Sequence, residues 1–297
     1  AVLRPDGVPG PSRWRSQRWQ AARGDLILFL ASDDLLGPDC LRQRRQVAEQ
    51  LSTNDFWVFP VELFRENPGD LGLPWNQLSA AGEVLPRFLK GDGPWCVSSA
   101  CWTKSALRRS GGVNEAVMYG DDSELHARAL VGGVRFETPA NQLPDAFIRR
   151  SGSLRITNTA SAAMLQSRIQ RLRETTLWLR QCKLAVYRTA WQSRYFAECE
   201  YLLFNIPGSL QLQRQVLSAW GEDWRPSLRI YLTVTVYLWI ANVCRSHVYL
   251  LLRIARRLAM QILPSVYFAQ SSALEHSPVP ESTFRLLRDR LQASHQE

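Results

Sequence analysis

Lysine is nearly missing from this chain. Only Lys90, Lys104 and Lys183 occur, so the net charge of +9 rests almost wholly on arginine. A positive balance suits an anionic partner: nucleic acid, phospholipid head groups or a phosphorylated substrate. Charge alone does not choose among them. Cysteine pairs are also missing. The six cysteines, at 40, 96, 101, 182, 199 and 244, form no CxxC and no Cys/His cluster with zinc-ligand spacing. They read as free thiols in a reducing compartment. No signal peptide pattern, internal repeat or recognised nucleic-acid motif is visible, which argues against a nucleic-acid binder. The longest helical stretch free of charge, Ile230 to Cys244, holds fifteen residues. That falls short of the roughly 20 needed to cross a bilayer. The sequence begins at Ala1 rather than methionine, which reads as a removed start or a fragment.

What is present is enough for a packed core: 45% of residues are hydrophobic and 10% aromatic. That excludes a disordered chain. Residues 25–30 form a short apolar run ending in Ser32-Asp33-Asp34, the pattern of a buried strand in a parallel sheet. A helix is predicted over 38–52, with Pro38 suited to its first position. Residues 55–64 read as a strand, with Pro60 implying an edge or bulge. After a Gly/Pro-rich loop (66–82), a helix is predicted at 83–90 and a strand at 95–103. A helical turn at 104–110 stops at Gly111-Gly112. A helix over 121–130 carries acids in its first turn, and 134–138 reads as a strand. Alternating strands and helices argue an α/β fold. Past about residue 152 the texture changes to long, arginine-rich helical patterns over 160–204 and 209–220, then 230–244 and 248–262. The end, 271–297, is polar up to a short last helix. Two domains are expected, 1–152 and 153–297.

Two acid pairs could carry chemistry. Asp33 and Asp34 follow an apolar strand, where ligands of open α/β sheets bind. A carboxylate there can hold a divalent cation that neutralises a diphosphate; equally, the pair can cap the following turn and helix. Asp121 and Asp122 open a helix. One of them could be a general base toward an acceptor hydroxyl, or both simply favour the helix dipole. His126, one turn after Asp122, reads as a buried helix residue rather than a ligand.

The order of these motifs resembles the second half of a family 2 glycosyltransferase catalytic domain. Residues 10–34 are similar to the family pattern that ends in Gly-Asp, a strand and D-x-D-D; here these are Gly24-Asp25 and Ser32-Asp33-Asp34. Residues 94–130 are similar to its later block: Gly111-Gly112-Val113-Asn114-Glu115, then Asp121-Asp122, then Glu124-Leu125-His126-Ala127-Arg128-Ala129-Leu130. The resemblance spans roughly 8–150 and implies an incomplete GT-A mixed sheet with flanking helices, followed by an α-helical C-terminal region. It implies transfer of a sugar from a nucleotide-diphospho-sugar to a hydroxyl of a glycan or lipid-linked acceptor, with inversion. Asp33 would hold the cation, Mn2+ or Mg2+. Asp122 would be the base, with Asp121 beside it. Arg15, Ser32 and Asp34 would line the nucleotide-sugar, and Trp95, Ser98, Ser99 and Trp102 the acceptor. The two tryptophans can equally be core. Ala31 stands where the family has the first Asp of D-x-D, which shifts the load toward Asp34. About 80 to 90 residues of the family's layout would precede Ala1; the chain alone is therefore expected to be poorly soluble and inactive.

Residues 248–262 place Leu251, Ile254, Ala255, Leu258 and Ile262 on one face and Arg253, Arg256 and Arg257 on the other. This is a basic amphipathic helix, fit either for an anionic membrane surface at the cytoplasmic face or for a helix bundle. A transferase-like scaffold without catalysis is the rival function.

Overall fold

The computed structural model describes residues 11–268, except 76–77, 79–83, 118–119, 141, 151–161, 207 and 245–248. The expected last helix and the boundary at 152 lie outside the described residues. The fold is mixed α/β, with two small sheets followed by a helical region. It divides into two compact units. The first holds residues up to Phe88 and from Asp92 to the end of the sheets. The second holds Leu89–Gly91 and the helices from α6 onward.

The first unit opens with α1 (Pro11–Ala21). Four strands form one sheet: β1 (Leu26–Leu28), β6 (Ala100–Thr103), β3 (Phe56–Val58) and β7 (Phe136–Glu137), in that spatial order. β6 runs antiparallel to both β1 and β3, while β7 runs parallel to β3. The strand at 25–30 is thus shorter than expected and pairs antiparallel rather than within a parallel sheet. The second sheet has the order β2 (Leu35–Leu36), β8 (Ala146–Arg149), β4 (Val61–Phe64) and β5 (Leu73–Pro74).

The predicted strand at 55–64 is two strands, β3 and β4, in different sheets. Pro60 sits at the break, where its missing N–H cannot continue a ladder. Strand β8 escaped the sequence reading, though its burial alternates in the expected period of two.

Side chains leave the first sheet alternately. Phe56, Val58, Ala100, Trp102 and Ile27 join a core with Trp19 of α1, Ala106 and Leu107 of α4 (Lys104–Arg109), and Leu125 and Ala129 of α5 (Asp121–Val131). On the other face Trp57, Phe59 and Cys101 pack on Val47 and Ala48 of α2 (Cys40–Gln50). Phe88 reaches the first core from α3 (Val84–Lys90). α4 ends where the sequence placed its stop: Gly111 and Gly112 both take positive φ, at 78° and 67°.

In the second unit, α6 (Ala162–Gln181), α7 (Arg188–Asn205), α8 (Leu210–Trp224), α9 (Leu228–Cys244) and α10 (Tyr249–Ile262) pack around Leu172, Tyr195, Phe196, Leu203, Val216, Trp220 and Tyr237. Inside it, Arg168 and Glu198 form a buried ion pair, and the Tyr195 hydroxyl lies 2.7 Å from Thr176 Oγ1 and 2.9 Å from Asp223 Oδ2.

Candidate functional site

Topology brings the motifs to one rim of the first unit. β1 and β3 run the same way, so their carboxyl ends share an edge with the start of the antiparallel β6. The turn Ala31–Asp34 leaves β1 at that edge, closed by the Asp34 N–H donating to the Ala31 carbonyl at 3.2 Å. The 3-10 turn Val97–Ser99 enters β6 at the same edge. Ser98 Oγ accordingly donates to Asp34 Oδ2 at 3.2 Å. The Arg149 backbone N–H, from β8, donates to Asp34 Oδ1 at 3.2 Å. Asp34 is therefore held by both sheets.

The second acid pair opens α5. Gly120, with φ of 70°, turns the chain into α5, which places Asp121 and Asp122 in the first turn. Asp121 is buried and takes Arg15 of α1 at 2.5 Å. Burial works against the Arg15 charge, but Asp121 and then Asp122 outweigh it and raise its pKa. Burial also pushes the Asp121 carboxyl up, opposed by Arg15 and reinforced by Asp122. Asp122 is half-buried and its Oδ1 accepts the Ser123 N–H at 2.7 Å. Cys96 is within electrostatic reach of both Asp34 and Asp122. Its thiol lies 3.4 Å from Ser99 Oγ. Burial raises it to about 11, with Asp34 and Asp122 both adding to the rise. Asp34 and Asp122 thus act on one sulfur from two distant parts of the chain.

Of the other expected site residues, Ser32 is exposed and Asp33 half-buried in the Ala31–Asp34 turn, while Ser98 and Ser99 are fully buried. Trp95 and Trp102 require correction as an acceptor platform. Both are buried in the core: Trp102 stacks on Phe56 at 4.1 Å and Trp95 meets Phe88 edge-on at 4.9 Å. Large rings this deep serve packing. His126 lies among the same rings, stacked at 5.4 Å on Phe88 and 5.6 Å on Trp102. Neither of its nitrogens has a hydrogen-bond partner of good geometry. Burial lowers its pKa to about 3, against weak opposition from the Asp122 backbone and the Asp121 charge.

Two residues at this rim were not found from sequence. Arg44, fully buried on α2, forks onto Asp145 at 2.8 and 2.5 Å and donates to the Ser98 carbonyl at 2.8 Å. It also lies over the Phe59 ring at 4.7 Å. This guanidinium fixes the backbone of the residue whose hydroxyl holds Asp34. Its setting in Arg-Gln-Arg-Arg reads as a solvated helix face, so no local signal marked it.

Among the described residues no group of three or more His, Cys, Asp or Glu converges to hold a metal ion. A closed protein cage is therefore not offered there. One or two carboxylates completed by phosphate oxygens and water is the arrangement Mg2+ commonly takes, and the Ala31–Asp34 turn fits that donor set.

No family model and no curated protein matches the sequence. Among solved structures the chain is similar to S. aureus TarS, with a TM-score of 0.54 and 14% identity over 84% of this chain. It spans 42% of the length of that protein. A structure of TarS 1–349 gives a TM-score of 0.49 with 15% identity, over 87% of this chain and 70% of that one. At such identity the likeness concerns the fold.

Proposed function

We propose that this chain is part of a glycosyltransferase that moves a sugar from a nucleotide-diphospho-sugar to a hydroxyl acceptor. The observation that supports the reading is Asp34, held by Ser98 at the carboxyl end of β1, with Asp122 at the start of α5 acting electrostatically on the same Cys96 thiol. The fold likeness to TarS, a glycosyltransferase, supports it in outline.

In this reading Asp122 accepts the proton of the acceptor hydroxyl. The freed oxygen bonds to the anomeric carbon from the face opposite the leaving group. The bond from that carbon to the diphosphate oxygen breaks, and the nucleoside diphosphate leaves with the electron pair. Configuration inverts. Arg15 restrains Asp121 beside the base. Asp34, braced by Ser98 and Arg149, shapes the donor end of the rim with Ser32. A divalent cation at Asp33 would supply charge neutralisation for the diphosphate. Ser98 and Ser99 are buried behind the rim and support it from within rather than touching the acceptor.

The test is donor binding and turnover by the whole transferase of which this chain is proposed to be part, screened across nucleotide-sugars with Mn2+ or Mg2+. Asp122→Asn should reduce transfer by about 10²- to 10⁴-fold, as loss of a general base does, with donor affinity retained. If no nucleotide-sugar binds, the site is a structural remnant and the scaffold reading replaces this one. If Asp122→Asn transfers at the parental rate, the base lies elsewhere.

A further inference from the structure

Helix α9 buries Val234, Tyr237, Leu238, Ala241 and Cys244. Its opposite side should be polar in a helix of a water-soluble bundle. Instead it carries Leu228, Leu232, Val236, Trp239 and Val243, all exposed, with Leu228 at 72% and Trp239 at 66%. At about 100° per residue these five fall in one arc of about 80°. They make a continuous apolar stripe along the helix.

Its neighbour α10 repeats the arrangement. Ala255, Ala259 and Leu263 are buried, whereas Leu251, Ile254, Leu258 and Ile262 are exposed. The sequence grouped Ala255 with the leucines on one face. The structure separates them, burying the small residues and turning the large ones outward. Exposed apolar stripes of this extent mark an interaction surface.

Charge decides the partner. Between Asp223 and Glu275 the chain contains no acidic residue, but it holds Arg225, Arg229, Arg245, Arg253, Arg256 and Arg257. Arg229 and Arg257 are exposed beside the stripes, and Arg256 lies over the Phe268 ring at 5.7 Å. A second copy of this chain, face to face, would bring exposed arginines together with no carboxylate on α9 or α10 to pair them. An anionic lipid surface supplies the opposite charge and takes apolar side chains between its head groups. A tryptophan in the stripe suits the same depth. Among the described residues no helix is long and apolar enough to cross a membrane. A 17-residue α9 would therefore suit the interface plane rather than a span.

We infer that the outward faces of α9 and α10 form a docking surface for an anionic membrane, with Leu232, Val236 and Trp239 inserted among the acyl chains. This stands apart from the sugar-transfer reading and does not need it.

The full 297-residue chain is mixed with vesicles of equimolar phosphatidylcholine and phosphatidylglycerol and sedimented, with phosphatidylcholine alone as control. Binding is expected to the anionic vesicles, to fall with added salt, and to be far weaker on the control. The double substitution Leu232→Glu/Trp239→Glu should lower partitioning by about tenfold or more. Both positions are exposed, so circular dichroism should stay unchanged. Arg229→Gln and Arg257→Gln should each cost about fivefold. No sedimentation with anionic vesicles overturns the inference. So does equal binding of the double variant with its fold intact. A light-scattering mass above that of one chain that drops on Leu232→Glu, without vesicle binding, assigns the face to self-association instead.

Discussion

Arg44 engages each of its three guanidinium nitrogens inside the protein. Two go to Asp145 and one to the Ser98 carbonyl, and its burial leaves no water to replace a lost partner. Removing one member of such a pair exposes the other to an uncompensated desolvation cost of about 3–5 kcal/mol. Asp145→Asn should therefore lower the unfolding free energy by roughly that amount, read from the urea midpoint. Arg44→Met combined with Asp145→Leu should recover most of it, because no charge is then stranded. The same burial of polar groups explains the quiet chemistry of the thiols. Burial pushes Cys40 up to about 12 and Cys101 up to about 11, so neither is a nucleophile at neutral pH. Cys182 alone among the six is exposed. A thiol reagent applied to the folded chain should modify one cysteine, counted by mass spectrometry; two or more adducts would contradict the burial.

Elements punctuated by special residues were legible before the structure. Helix α4 and its glycine stop, helix α5 with its acidic first turn, and α9 follow directly from residue pattern. The strands were less legible, because their boundaries depend on partners distant in sequence. Nothing local tells β3 to leave for a second sheet except Pro60, and nothing in 139–150 announces β8 beyond alternating burial. The site divides along the same line. The acid pairs could be named from their place after a strand and at a helix start. The brace behind the first pair, Arg44 with Asp145, joins residues 101 apart and lacks any local sign. Trp95 and Trp102 were ambiguous for a related reason: an aromatic side chain suits a sugar face and a core equally, and only burial separates the two. At Gly112 the packing is explicit. Its φ is 67°, and a Cβ there would stand 2.5 Å from Trp19 Cζ2. Gly112→Ala should destabilise the first unit by at least about 1–3 kcal/mol from backbone strain alone, measured by chemical denaturation. Trp19→Ala in the same background should relieve the clash but not the strain.

For the molecule as a whole, acid is the predicted weakness. His126 is held neutral down to about pH 3 when folded, against an ordinary value of 6.5. Between those limits the unfolded chain binds a proton that the folded chain refuses. Stability is therefore full above pH 6.5 and falls as the pH drops through this window, by up to about 1.4 kcal/mol per unit. Protonating carboxylates on a chain already at +9 adds to the strain. Urea midpoints at neutral pH and near pH 5 should differ clearly for the parent and much less for His126→Leu. An equal acid dependence in both would place the sensitive group elsewhere.

The acid-free span that contains α9 and α10 behaves differently from this histidine. Arginine keeps its proton across the whole physiological range, and His247 is the one side chain between Asp223 and Glu275 whose ordinary value lies between pH 5 and 8. Attraction to an anionic sheet is then carried mainly by charges that do not titrate, and it responds to ionic strength. Such a face works as a fixed adhesive, not a switch. Where the protein settles would be governed by how much acidic lipid each membrane carries.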